Sequence, residues 1–69
     1  MLNFKTKRAA INHIRAYNVA GVVWQYPKTG RWGWATEGSG CWSDLRRRGV
    51  LAPGLRGGGV RVENIEWVA

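Results

Sequence analysis

Acidic residues are scarce in this chain: four against eleven lysines and arginines, and none before Glu37. The resulting formal net charge of +7 and pI near 10.9 exclude an acidic mimic of DNA and favour polyanionic partners. Cysteine is nearly absent as well. Cys41 alone cannot close an internal disulfide, which excludes a stapled secreted scaffold. Long apolar runs are missing: the longest, Val19 to Trp24, contains a glycine and is far too short to span a bilayer. The opening residues, Met1 to Lys5, lack the apolar stretch of a signal peptide, so the expectation is a cytoplasmic protein with no membrane partner.

The same scarcity limits site chemistry. One histidine, His13, and one cysteine, on different expected elements, fall well short of a four-ligand metal site. His13, Cys41 and Asp44 are the residue types of a nucleophile, a base and an orienting acid, but nothing in their spacing requires them to meet. The Gly38-Ser39-Gly40 stretch lacks the third glycine of a dinucleotide fingerprint, and no Gly-Lys-Ser/Thr exists to cradle a phosphate. No catalytic residue, cofactor or metal is therefore expected, and the chain is read as a non-enzyme.

What the chain does have is tryptophan. Five occur in 69 residues, with Trp24, Trp32, Trp34 and Trp42 inside one short central stretch. A chain of this length makes a single domain, 1–69, and buries only about 60% of the surface it would expose unfolded. Several indoles, at about 150–250 Å² each, are then needed to fill a marginal core. Five are too many for it, which leaves some as candidates for contact with a partner.

The local signals predict an α+β fold in the order α-β-β-α-β, with helices packed on a two- to three-stranded antiparallel sheet. Thr6 is a candidate cap for a helix running to about Asn18, with Phe4, Ala10, Ile11, Ile14 and Tyr17 on one side of a 100° wheel and Lys5, Arg8, Asn12 and Arg15 on an adjoining arc. Lys7 projects near the apolar side, where its stem can snorkel. Val19 to Tyr26 is β-branched and aromatic, Pro27-Lys28-Thr29-Gly30 is a turn, and Arg31 to Glu37 is the returning strand. A four-residue loop, favoured over a bulged one that would bring all four aromatics together, sets Tyr26 opposite Arg31. Trp24 and Tyr26 then share one face, and Trp32, Trp34 and Val23 the other.

Residues 37–40 form a connector. Ser39 or Ser43 caps a second helix through Trp42, Leu45 and Arg48, and Gly49 stops it. Ala52 to Gly59 reads as a mobile glycine-rich loop, and Val60 to Val68 as a last strand with a bulge near Glu63-Asn64 if Val60, Val62, Ile65 and Trp67 are all buried.

Two features carry the functional expectation. Positive charge is segregated: residues 1–36 hold six basic and no acidic side chains, whereas residues 37–69 hold five basic and four acidic, a pattern that solubility alone does not require. Aromatic and basic residues also interleave around the hairpin. The candidate partner-binding residues are Lys5, Arg8 and Arg15 on the first helix, Lys28, Arg31, Trp32 and Trp34 on the hairpin, Arg46, Arg47 and Arg48 on the second helix, and Arg56 in the glycine loop. Trp24, Trp42 and Trp67 are assigned to the core. Trp32 and Trp34, between Arg31 and glycine, are expected at the surface as anchors.

The leading expectation is a basic module that contacts nucleic acid through the hairpin and the arginine-rich helix. The alternative is a small phage-type inhibitor or adaptor, of the anti-defence or anti-CRISPR kind, that docks on an acidic protein surface. A homo-oligomer is a third option, because exposed tryptophan and a marginal core both favour association.

Overall fold

The computed structural model describes residues 3–51 and 59–69; Arg56 and most of the expected glycine loop lie outside them. The element order is α1 (Lys7–Ala16), β1 (Gly21–Gln25), β2 (Trp32–Thr36), α2 (Gly40–Arg48) and β3 (Glu63–Val68). The strands form one antiparallel sheet in the order β2-β1-β3, so β1 is the middle strand.

Local chemistry sets most boundaries. The Thr6 hydroxyl accepts from the Ala9 N–H and caps α1. The helix stops at Ala16, two residues short of expectation, because Asn18 turns left-handed with φ 59°. Ser39, in place of Ser43, caps α2 by accepting from the Trp42 N–H, and Gly49 closes it in a left-handed conformation at φ 73°. Between β1 and β2 the turn forms as the sequence suggests. The Tyr26 N–H donates to the Arg31 carbonyl, the Gly30 N–H to the Tyr26 carbonyl, and Gly30 takes φ 73°. A bulge forms near Glu63-Asn64, although the condition attached to it, burial of Val60, Val62, Ile65 and Trp67, is not met. Gln25 pairs with Glu63 and Val23 with Glu66, so Asn64 and Ile65 together oppose Trp24, and Asn64 adopts φ 53°. Its amide donates to Gln25 Oε1 at 2.7 Å.

The last strand is shorter than expected. Val60 pairs with Leu51 in an isolated bridge, and continuous pairing with β1 begins only at Glu63. Nor are its four apolar residues all buried. Val62 packs partly on the core, whereas Val60, Ile65 and Trp67 are exposed.

The helices lie on opposite faces of the sheet. Neighbouring residues of a strand point to opposite sides, and Val22 and Val23 of β1 enter different apolar clusters. Val23 joins Ala10 and Ile14 of α1 and Val68 of β3. Val22 and Trp24 join Ala35, Leu45 of α2 and Leu51. The middle strand is therefore walled on both sides, which explains why Gly21-Val22-Val23-Trp24 is a continuous buried run without alternation.

Glycine is required where elements approach most closely. Gly33 sits directly across from Trp24 in the ladder, and a Cβ there would overlap the indole. Trp24 is 1% exposed and has no room to withdraw. Gly21 is similarly tight, with a Cβ falling 2.6 Å from the Ala35 carbonyl oxygen and 2.8 Å from Ile14.

Gly33→Ala is expected to lower stability by about 1–3 kcal/mol through overpacking. Gly40→Ala, in the first turn of α2 with nothing within 4 Å of the added methyl, is expected to raise it by up to about 1 kcal/mol. Urea denaturation of the two variants checks the pair, and similar midpoints would contradict the packing. Gly30→Val is expected to cost about 1 kcal/mol or more by straining the turn, read as a lowered melting temperature.

Candidate functional site

Ten of the eleven basic side chains fall within the described residues, and all ten are exposed. Among the described residues only one is in an ion pair, Lys7 Nζ with Glu66 Oε1 at 3.0 Å. Lys7 does reach past the apolar side of α1, and its ammonium meets a carboxylate of β3 in a pair that remains exposed to water. The other nine stand without a carboxylate partner among the described residues.

The sheet divides them. On the α1 side, Lys7, Arg8, Ile11, Asn12 and Arg15 line a shallow depression of about 470 Å³. Lys5 precedes the Thr6 cap and lies outside the helix proper. On the other side, Arg46, Arg47 and Arg48 occupy the last turn of α2, where cations meet the negative end of the helix dipole. Lys28 and Arg31 belong to the hairpin tip, and the Arg31 guanidinium donates to the Asn3 carbonyl at 3.3 Å. The basic residues named from sequence thus form separate groups, and no single flat surface can touch both helices at once.

Two expectations about tryptophan are corrected. Trp32 and Trp34 are not an exposed pair. Both are half-buried and pack against the cluster of Ala10, Ile14, Val23 and Val68. The expectation of a bare strand face sets both helices on the opposite side of the hairpin; α1 covers it instead. Trp34 is further enclosed by rings, 4.4 Å from His13 and stacked on Tyr17 at 5.8 Å and 15°. The Trp32 backbone is bridged by Phe4, whose N–H and carbonyl pair with it. Tyr17, expected on the apolar side of α1, is 54% exposed outside this stack.

Trp67 is corrected in the other direction. The sequence assigns it to the core, yet it is 48% exposed. It lies on the edge strand β3 opposite Val22, beyond the cover that Leu45 of α2 gives the middle of the sheet. Trp42, also assigned to the core, is half-buried against that cluster and meets Trp67 at 6.0 Å, nearly perpendicular at 88°. The Arg46 guanidinium lies over both rings, 4.9 Å from the Trp42 centroid and 5.9 Å from that of Trp67. Such contacts contribute roughly 0.5–1 kcal/mol at exposed sites. One signal for this cluster is present in the sequence: Trp42 and Arg46 stand at i and i+4 of a helix, a spacing that sets side chains side by side. Its third member, Trp67, comes from a remote strand.

The fold also separates the one thiol from the one imidazole. His13 is boxed by Phe4, Tyr17 and Trp34 on the α1 side, whereas Cys41 packs beside Val22 and Trp24 on the α2 side. The sheet stands between them, so His13, Cys41 and Asp44 form no catalytic constellation. Among the described residues no three of His, Cys, Asp and Glu gather to hold a metal, and no helix is long and apolar enough to cross a membrane. No family model, curated protein or solved structure matches the chain.

Trp32→Ala and Trp34→Ala are each expected to destabilise the fold by about 1–3 kcal/mol, part of the loss for a fully buried indole. Trp67→Ala is expected to cost less than either. Thermal unfolding followed by circular dichroism checks the ranking, and a reversed order would return the hairpin tryptophans to the surface.

Proposed function

We propose that this chain is a non-enzymatic, cytoplasmic binding module whose partner is nucleic acid. The observation that supports this reading is the exposed positive charge: of ten described basic side chains only Lys7 has a carboxylate neighbour. Surface charge left unneutralised in this way repels itself and attracts polyanions. Arginine, whose fork matches phosphate oxygens in bidentate geometry, supplies most of it.

Within this reading the contact falls on the Arg46-Arg47-Arg48 turn of α2 and on the Lys28/Arg31 hairpin tip. Trp32 and Trp34 act as packing beneath α1, and Arg8 and Arg15 form a second basic face. Docking on an acidic protein surface, as an inhibitor or adaptor would, is the competing reading. It draws on the same arginines with an indole as anchor.

Salt separates the two. Binding to phosphates releases counterions, so the logarithm of affinity falls with the logarithm of salt at a slope of about −0.9 per duplex phosphate neutralised, or about −0.7 on a single strand. The Arg46→Gln/Arg47→Gln/Arg48→Gln variant is expected to keep its fold, because exposed charges contribute little to stability. Its slope should be shallower than wild type by roughly one unit for every phosphate that these arginines neutralise. Fluorescence anisotropy with a labelled duplex and a labelled single strand across a salt series reads both quantities. A slope near zero would favour the acidic protein surface.

A further inference from the structure

We propose that Trp67, Trp42 and Arg46 form a stacking site for one unpaired nucleobase and its phosphate. This rests on the nucleic-acid reading above and specifies it: the favoured ligand is single-stranded, and the aromatic contact lies at the β3 edge, away from the hairpin.

Trp67 is nearly half exposed in a chain that has little apolar surface to spare for its core. It is not loosely placed. Its strand residue is held opposite Val22, and its ring abuts Trp42, which is itself packed against the buried cluster of Val22, Trp24 and Leu45. The perpendicular rings make a corner, and the Arg46 guanidinium lies over both, so a base would stack on the part of the Trp67 ring that Arg46 leaves uncovered. A π surface and a guanidinium thus come within one nucleotide's reach, held in place before any ligand arrives. Base stacking on an aromatic side chain tolerates any sequence, because every base has a π face.

Charge on this face fits a phosphate. Arg47 follows Arg46 in the same turn, about 100° around the axis, whereas Arg48, at about 200°, is turned away as Asp44 is. The nearest carboxylate in sequence, Glu66, pairs with Val23 and points to the α1 side, where Lys7 neutralises it. Glu63 pairs with Gln25 on that same side. Asp44 precedes Arg46 by two helical positions, about 200° around the axis. Glu37 follows β2, at the opposite edge of the sheet from Trp67. The acidic residues are therefore turned away from the Trp67 corner or remote from it. An acidic peptide could meet the arginines, but only one that also carries an aromatic side chain offers a plane to cover the indole.

The test compares a labelled oligothymidylate strand with an abasic strand of equal length, at one moderate salt concentration, against wild type, Trp67→Ala and Trp67→Phe. Wild type should prefer the base-bearing strand on the order of ten-fold, the scale that stacking one base contributes. Trp67→Ala should abolish that preference while keeping the affinity for the abasic strand, and Trp67→Phe should retain most of it. Equal wild-type binding of both strands leaves the nucleic-acid reading standing and overturns the stacking site. So does a preference that survives in Trp67→Ala. If wild type binds neither strand nor a duplex, the nucleic-acid reading itself fails and the stacking site falls with it. Light scattering on the free protein adds a further check: a mass near twice 7.7 kDa that Trp67→Ala halves would make the corner a contact between copies and overturn the proposal.

Discussion

Burial of β1 on both faces is the constraint from which the rest of the architecture follows. A three-stranded sheet has only one strand that neighbours can flank on each edge, and this chain places its most apolar run there. Val22 and Val23 cannot both be covered from one side, so the two helices take opposite faces. Trp24 then lies across the bare backbone of Gly33, its cross-strand partner, and fills the α2 side with a single large ring. That arrangement lets a chain this small exclude water from two apolar clusters at once, each too small to hold a domain alone.

The same division governs the surface. Because α1 and α2 look in opposite directions, the abundance of arginine and lysine does not become one continuous basic stripe. The α1 face carries a partial neutralisation, the Lys7–Glu66 pair, which ties the helix to β3 across 59 residues of sequence. An exposed pair of this kind contributes about 1 kcal/mol or less to stability. Its larger consequence is electrostatic, since it holds a carboxylate on one side of the sheet. The α2 face keeps Arg46 over two tryptophans that meet edge to face. Charge and aromatic surface coincide there and not at the hairpin, where the tryptophans serve the core.

Much of the candidate site could be named in advance by residue type but not by place. Arg46, Arg47 and Arg48 are legible from sequence because they end a short helix, and helix ends are solvent-exposed. Lys28 and Arg31 are legible because they flank a turn. Which tryptophans face water was not legible. Trp32 and Trp34 follow an arginine and look like surface residues, whereas Trp67 sits among Ile65 and Val68 and looks like core. Both impressions fail for one reason: sequence neighbours of a strand residue lie on the other face or along the edge, and its packing partners come from elsewhere in the chain.

The sequence by itself determined everything that a few adjacent residues can decide. Thr6 as a helix cap, a serine at 39 or 43 for the second helix, Gly49 as a stop and the Pro27–Gly30 turn all depend on hydrogen bonds and φ preferences of short local segments. Tertiary structure alone decided which face each helix covers. No local rule distinguishes the two sides of a strand that is apolar on both, and only the competition among remote side chains for the limited area over β1 does so. The exposure of Trp67, the partial burial of Trp32 and Trp34, and the separation of His13 from Cys41 all descend from that choice.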